Sequence, residues 1–222
     1  MDRAVLDRQM YAVREAARLL GIPAARLRRW LNGAVVQGRP YPPVIRIKPT
    51  GSEDVTWAEF VEAGFLREYR GRRVPLQRLR PFIDALRDDF QVEYPLAHFK
   101  PAVDEASREL VLRAQEKVNL EDQLALIRRH GRRGGAWQLQ WAAPVQKFLE
   151  KVEFDPYGVA ERMRPLGGTV PVVIDPEVQF GIPQVGGVRT EAITEAFAEV
   201  GDAGKVAKLW KLDVREVLAA LR

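Results

Sequence analysis

The sequence predicts an α+β fold that is mainly α-helical with small β elements, and three observations lead to this class. Residues 11–31, 57–90 and 190–221 carry apolar side chains at the three- and four-residue spacing of amphipathic helices. Residues 44–48 and 137–141 alternate between apolar and polar side chains, as half-buried strands do. Gly, Pro, Asn and Asp residues separate these stretches, so the predicted elements are short.

The elements group into three predicted domains. Residues 1–95 form a winged helix-turn-helix domain with two supporting helices, residues 96–165 form a small α+β connector, and residues 166–222 form a C-terminal three-helix unit that is itself helix-turn-helix-like. A chain of 222 residues has the length of one to three domains and enough apolar content to bury a core.

The N-terminal helix pair is the most informative stretch. The first helix has one apolar face and ends at Gly21, since glycine adopts a left-handed conformation at little cost. Pro23 suits the first turn of a second helix, whose apolar side leaves its arginines facing outward. The inward residues are Val13, Ala16, Ala17 and Leu20 in the first helix, and Leu27, Trp30 and Leu31 in the second. This arrangement predicts a helix-turn-helix that presents its second helix to a DNA major groove.

A β wing is predicted to follow the helix pair. Residues 44–48 form its first strand, Gly51-Ser52 its turn, and Val55 begins the return strand. Arg39, Arg46 and Lys48 would then lie on or near the wing, within reach of phosphates. A simple β-turn linker is the alternative interpretation.

The charge distribution points in the same direction. The net charge is +5, but residues 1–50 contain 10 Lys and Arg against 3 Asp and Glu, a net charge of +7. The basic excess therefore coincides with the helix pair, as binding to phosphate requires. Arg suits bidentate contacts with phosphate and guanine, although a basic helical hairpin that is merely solvated stays the alternative.

This segment resembles the first helix pair of the MerR-like winged-helix family. The resemblance rests on Tyr11, on Glu15-Ala16-Ala17-Arg18-Leu19-Leu20-Gly21 and on Leu27-Arg28-Arg29-Trp30. It implies a DNA-binding domain, and it supports a predicted set of DNA contacts that consists of basic side chains only. These are Arg14, Arg26, Arg28, Arg29, Arg39, Arg46 and Lys48.

The connector is the least informative region. Residues 108–115 alternate and predict a strand, residues 119–129 a short helix, and residues 144–152 a helix with an apolar inner face. Trp137 and Trp141 share one face of the strand predicted at 137–141, where a core position is expected more often than base stacking.

The C-terminal region predicts three small helices, at 190–200, 205–210 and 214–221. Asp213 is the expected cap of the last helix. Because the region carries no positive excess, its apolar faces suit self-association or a protein partner better than DNA. The predicted partner-binding residues are Arg189, Phe197, Trp210 and Leu218.

This region resembles a small bacterial family of unknown function found among VapB-type antitoxins. The matching residues are Asp175-Pro176, Phe180-Gly181-Ile182-Pro183, Gly187-Val188-Arg189, Val206 to Leu212 and Val217 to Leu221. Joined to a MerR-like start, the pattern resembles a large VapB-type antitoxin. The resemblance implies a VapC-type toxin partner with a PIN-domain ribonuclease fold, repression of the chain's own operon, and a toxin-wrapping tail after Arg222.

Other classes of function are disfavoured. The sequence contains no phosphate-binding loop, no G-x-S-x-G and no H-E-x-x-H motif, so an enzyme is not expected, and no cofactor is predicted. The absence of Cys excludes disulfides and Cys-ligated metal, and only His98 and His130 remain as histidine ligands. No run of 18 apolar residues and no signal peptide is visible, so a cytoplasmic protein is expected. We therefore expect an antitoxin that forms a homodimer on operator DNA. The alternative is a one-component regulator that senses a small effector through residues 96–165 and has no toxin partner.

Overall fold

The computed structural model describes residues 5–69, 76–99, 104–130 and 138–222. The chain divides into two compact units, of which unit 1 comprises Met1–Leu149 with Phe154–Ala160, and unit 2 comprises Glu150–Glu153 with Glu161–Arg222. The predicted three-part division at residues 95 and 165 stays a prediction. No helix among the described residues is long and apolar enough to cross a membrane.

The described residues form helices joined by short antiparallel strand pairs, which confirms the predicted α+β class. The α-helices are α1 (Val13–Leu19), α2 (Ala24–Asn32), α3 (Trp57–Glu68), α4 (Arg80–Phe90), α5 (Glu105–Lys117), α6 (Ala143–Leu149), α7 (Thr190–Val200), α8 (Ala203–Trp210) and α9 (Val214–Ala220). Two 3-10 helices lie at Leu76–Leu79 and Gln179–Gly181.

The strands are β1 (Gln9–Ala12), β2 (Ala34–Val36), β3 (Arg39–Tyr41), β4 (Asp54–Thr56), β5 (Ile127–His130), β6 (Gln138–Trp141), β7 (Val152–Phe154), β8 (Ala160–Met163), β9 (Gln184–Val185) and β10 (Val188–Arg189). They form two-stranded sheets, which pair β1 with β4, β2 with β3, β5 with β6, β7 with β8 and β9 with β10. The pairing of β1 with β4 places Tyr11 opposite Val55 and joins the start of the chain to the strand before α3.

Helix α3 forms the centre of unit 1. Its first turn is closed by a capping box, in which Thr56 Oγ1 accepts from Glu59 N and Glu59 Oε2 accepts from Thr56 N. Every residue from Trp57 to Leu66 is buried. The ring of Phe65 packs edge-on against Phe148, with centroids 5.0 Å apart. A helix that is buried on all sides is typical of the core of a domain.

A carboxyl group is buried within this core at Glu62. The residue is fully buried, Leu96 N donates to Glu62 Oε1 at 3.0 Å, and Oε2 has no hydrogen-bond partner. Burial raises the pKa of Glu62 to about 8, against a lowering effect of the Arg87 charge. The side chain is therefore largely protonated at neutral pH.

The three helices of unit 2 enclose a separate apolar cluster. Its fully buried members include Val185, Ile193, Val206 and Val217. Asp202 caps α8 by accepting from Gly204 N and Lys205 N, and Asp213 caps α9 in a capping box with Glu216, as predicted for Asp213. Apolar packing and local caps thus hold these short helices together.

Several predicted elements are wrong in type or position. Residues 108–115 lie within helix α5 instead of a strand, because Asp104 caps the helix and its buried positions Val111, Leu112 and Gln115 follow helical spacing. Residues 119–129 form turns and the start of β5 instead of a helix. Trp137 lies outside the described residues, and the strand predicted around it is β6.

Candidate nucleic-acid interface

The turn between α1 and α2 is closed by backbone hydrogen bonds. Ile22 N donates to Ala17 O at 2.9 Å and Gly21 N to Arg18 O at 3.0 Å, the two bonds of a Schellman motif. Gly21 has φ +61°, the left-handed conformation that this motif requires. The sequence-based prediction that Gly21 ends the first helix is confirmed.

Helix α2 has two chemically different faces. Leu27, Trp30 and Leu31 are buried, which confirms the predicted inner face. Arg29 is exposed, and Arg26 and Arg28 are half-buried. The Nη1 atom of Arg26 is buried without a hydrogen-bond partner. The outward side of this helix is therefore basic, and it carries no exposed aliphatic side chain larger than alanine.

Arg28 is held by an acidic residue from the loop before β4. Its Nε lies 2.8 Å from both carboxylate oxygens of Glu53, and Nη2 lies 2.7 Å from Glu53 Oε2. The Arg28 hydrogen bond lowers the pKa of Glu53, and the charge of Arg14 lowers it further. Arg28 therefore sits on the outward face in a fixed orientation with its charge already paired.

Arg46 requires a correction. It was predicted to contact DNA from the wing, but it is only 4% exposed, and its guanidinium forms a bidentate pair with Glu59, at 2.6 Å from Nε to Oε1 and 3.1 Å from Nη2 to Oε2. Its Nη1 also donates to Asn32 Oδ1 at 2.9 Å and Thr50 Oγ1 at 2.7 Å. Arg46 therefore links the end of α2, the loop before β4 and the start of α3, and it is not available to DNA.

Residues 44–55 do not form the predicted wing. Residues 44–48 are not a strand, because Val44 and Ile45 are fully buried and their N–H groups donate to Trp30 O. The carbonyl oxygens of Pro43 and Ile45 accept from Arg80 and Arg87 of α4. β4, the predicted return strand, pairs with β1 instead.

The two-stranded hairpin that follows α2 consists of β2 and β3. Its turn residues Gln37 and Gly38 have φ of +51° and +76°, and Arg39 faces solvent directly after them. Val35 is 73% exposed. This hairpin was missed because a Pro within a short segment argues against a strand, yet Pro40 occupies an exposed two-stranded ribbon where that is tolerated.

The predicted DNA contacts thus separate into three groups. Arg14, Arg29, Arg39 and Lys48 are exposed, Arg26 and Arg28 are half-buried on α2, and Arg46 is buried. The exposed and half-buried members come from α1, α2, the β2–β3 hairpin and the segment after it.

The predicted partner-binding residues of unit 2 have different environments. Trp210 and Leu218 are exposed at 38% and 48%. Arg189 is exposed, and its Nε donates to Gln179 Oε1 at 2.8 Å. Phe197 is half-buried because it packs on the apolar cluster of unit 2, and its role as a contact residue stays a prediction.

The carboxylates of Asp155 and Asp175 hold nearby backbone groups. Asp155 Oδ1 accepts from Tyr157 N and Val159 N, and Asp175 Oδ1 accepts from Glu177 N while Oδ2 pairs with Arg162 at 2.8 Å. Within the described parts of the chain, no group of three or more His, Asp or Glu side chains could hold a metal ion.

Comparisons with known proteins give relatives along nearly the whole chain. No model of a known protein family matches. The uncharacterized protein Rv2308 of Mycobacterium tuberculosis is 35% identical over 207 residues, which cover 91% of this chain and 82% of that protein. A second protein of the same organism, named "Putative antitoxin VapB45", is 29% identical and covers 80% of this chain and 77% of its own.

A solved structure is similar to this chain over nearly its full length. The crystal structure of Rv2018 from Mycobacterium tuberculosis matches with a TM-score of 0.75 and 27% identity, over 98% of this chain and 99% of that one. The similarity to the protein named "Putative antitoxin VapB45" agrees with the resemblance of the C-terminal region to VapB-type antitoxins. The chain belongs to the same protein family as Rv2308 of Mycobacterium tuberculosis.

Proposed function

We propose that this protein is the antitoxin of a VapBC-type pair, which neutralises a PIN-domain ribonuclease and binds operator DNA as a homodimer to repress its own operon. The relative named "Putative antitoxin VapB45", aligned over 80% of the chain, is the observation that carries the antitoxin part of this proposal. The outward basic face of α2 carries the DNA-binding part.

The geometry around α2 suits a duplex. A helix whose inner face is buried and whose outer face carries Arg29, with Arg26 and Arg28 at its sides, can enter a major groove without burying apolar surface against phosphate. Arg14 on α1 lies on the exposed side of the preceding helix, where a backbone phosphate would be contacted. Unlike Arg46, the side chains of Arg14 and Arg29 are exposed.

The β2–β3 hairpin supplies the wing in this proposal. It projects exposed Val35, Val36 and Arg39 directly after α2, and Lys48 is exposed nearby in sequence. Arg and small apolar side chains together are suited to a minor groove, where Arg meets the negative potential and apolar groups contact sugars.

Operator binding is tested by fluorescence anisotropy with the DNA upstream of the chain's own gene. We expect Arg29→Ala to weaken binding roughly tenfold and to reduce the slope of log affinity against log salt by about one. The matched control is Arg113→Ala on α5, which removes the same charge from an exposed helical position of unit 1. Equal losses in both variants would show that only net charge matters and would refute the α2 assignment.

Toxin neutralisation is tested by co-expression with the product of the adjacent gene. We expect a stable complex whose ribonuclease activity is silent, and activity that returns when the antitoxin is removed. An adjacent product that neither associates nor cuts RNA would refute the antitoxin proposal, whatever the DNA result.

A pocket in the predicted sensor region favours a second candidate, the one-component regulator. It has a volume of about 480 Å³ and is lined by α5 and β5 residues such as Leu112, Gln115, Ile127 and Arg129. That volume is within the range of small-molecule sites. However, the amide of Gln115 is already bonded to Leu126 and Ile127, and Arg129 is paired with Glu116 at 2.9 Å. The antitoxin is therefore the first candidate, and operator release by a metabolite without any toxin would support the second.

A further inference from the structure

The exposed surface of α8 and α9 carries large apolar side chains that lie outside the buried apolar cluster of unit 2. Leu209 is 65% exposed, Leu218 48%, Val214 43% and Trp210 38%. The opposite sides of these helices are already buried in the apolar cluster through Val206, Ala207, Val217 and Ala219. We call the exposed residues Leu209, Trp210, Val214 and Leu218 the α8–α9 face.

The sequence spacing places apolar and basic residues together on this face. On α9, Val214 and Leu218 are four residues apart and share one side of the helix, and Arg215 lies three residues before Leu218. Arg222 follows the end of the helix. On α8, Lys205 precedes Leu209 by four residues in the same way. The apolar residues are therefore bordered by basic side chains.

The charge around the α8–α9 face is positive although the C-terminal region as a whole is not. Residues 202–222 contain five Lys and Arg (Lys205, Lys208, Lys211, Arg215 and Arg222) against three acidic residues, Asp202, Asp213 and Glu216. All three acids cap helices, Asp202 at the start of α8 and Asp213 with Glu216 in the α9 capping box. Arg215 pairs with Asp213 at 3.3 Å, so the lysines and Arg222 carry the basic excess. The acidic residues of α7 (Glu191, Glu195 and Glu199) lie on another helix.

We propose that the α8–α9 face is the docking surface for a separate protein whose contact region is apolar at its centre and acidic at its rim. The inference rests on the proposed antitoxin function and names the surface on which the toxin docks. A Trp and three aliphatic side chains that are bordered by basic side chains match the anatomy of a protein interface, which has an apolar centre and a polar rim.

Two other occupants fit this face less well. Nucleic acid offers phosphate to the lysines but no apolar partner for Leu209 and Leu218, whose exposed surface would stay unmatched. A symmetric dimer through this face would bring Lys205, Lys208 and Arg215 against their own copies, and like charges across an interface are unfavourable.

The test measures binding between the full chain and the co-expressed product of the adjacent gene by biolayer interferometry. We expect Leu209→Ala with Leu218→Ala to weaken this complex about 30-fold or more, since truncated central residues dominate interface energies. The matched control is Ile47→Ala with Leu110→Ala, which removes two exposed aliphatic side chains from unit 1 and should leave toxin affinity within about twofold.

Charge reversal tests the acidic rim of the partner. Lys205→Glu with Lys208→Glu should weaken the complex about tenfold at low salt and flatten its salt dependence. Arg113→Glu with Lys117→Glu, an exposed basic pair on α5, makes the same change in net charge and should have little effect. Retained operator binding and an unchanged melting temperature would show that the variants fold.

The outcomes separate this inference from the proposed function. A wild-type complex that survives both α8–α9 double variants would overturn the docking surface and leave the antitoxin function standing. No wild-type complex at all would overturn both. Competition by RNA or DNA oligonucleotides, or a head-to-tail oligomer lost in the same variants by light scattering, would assign the face to nucleic acid or to a second copy and overturn the proposal.

Discussion

The helix pairs α1–α2 and α8–α9 are both joined by short turns, at residues 20–23 and 211–213, but different interactions hold them in place. The end of α2 is fixed by Arg46 and Glu59, two charged residues that are 4% and 3% exposed. The α8–α9 pair rests on an apolar cluster and on side-chain caps. Their outer faces differ as well, since α2 presents arginines and α8–α9 presents apolar residues bordered by basic ones.

The difference teaches that one local arrangement of two helices can present two chemically different outer faces. A basic outer face without exposed aliphatic groups suits a polyanion, whereas an apolar face with a basic border suits a protein. Buried charges hold the end of the first pair through hydrogen bonds between residues distant in sequence, while apolar packing and local caps hold the second. Five variants test this contrast, in order of the expected effect.

Arg46→Ala should have the largest effect. It leaves Glu59 buried without its counterion, which we expect to lower the free energy of unfolding of unit 1 by roughly 3–5 kcal/mol. Chemical denaturation followed by tryptophan fluorescence measures the change. If stability were unchanged while operator affinity fell, Arg46 would be a DNA contact after all, and the contrast between the two pairs would collapse.

Glu62→Gln should make the stability of unit 1 less dependent on pH. The folded pKa of about 8 exceeds the ordinary value of 4.5, so the folded state holds an extra proton between these values. The contribution of Glu62 to stability is therefore fully present below pH 4.5 and is lost as the pH rises to 8. We expect the variant to exceed the wild type by roughly 3 kcal/mol at pH 9 and by little at pH 5.

The comparison is made by denaturation of both proteins across this pH range. A constant difference between variant and wild type at all pH values would contradict the raised pKa.

Val217→Ala and Leu218→Ala compare adjacent positions on α9. Val217 is fully buried in the apolar cluster, so its truncation should lower the free energy of unfolding of unit 2 by about 1–2 kcal/mol. Leu218 is 48% exposed, and its truncation should change stability by less than about 0.5 kcal/mol. Differential scanning calorimetry of the two variants gives both values. A large loss in Leu218→Ala would mean that the face is structural.

Glu53→Gln should have the smallest effect. Releasing Arg28 from its paired carboxylate should raise operator affinity about three- to tenfold, because Arg28 can then contact phosphate or a base without first losing Glu53. Glu15→Gln on α1 controls for the loss of one negative charge. The gain should disappear in an Arg28→Ala background, and a gain that persists there would be a general charge effect.

Much of the helical architecture could be predicted from the sequence. Gly21 and the capping boxes at Thr56 and Asp213 act through neighbouring backbone atoms, so local residues suffice to predict them. The helix-turn-helix faces followed from spacing alone.

The conformation of residues 43–48 and the role of Arg46 could not be predicted in the same way. The N–H groups of Val44 and Ile45 donate to Trp30 O. The carbonyl oxygens of residues 43, 45 and 47 accept from Arg80 and Arg87, which lie 33 to 42 positions later in the chain. A short sequence pattern does not contain such distant partners. Likewise, Arg46 could be recognised as structural only once Glu59, 13 residues later, was seen to face it.

The Arg46 network also bears on how relatives of this protein can diverge. Asn32 Oδ1 accepts from Arg46 and from the N–H groups of Thr50 and Gly51, while Glu59 neutralises the same guanidinium. A change at one of these positions alone leaves hydrogen-bonding groups of the others without their partners. Evolution should therefore replace Asn32, Arg46 and Glu59 together, so that their joint substitution among homologues would mark lineages in which α2 is anchored by other interactions.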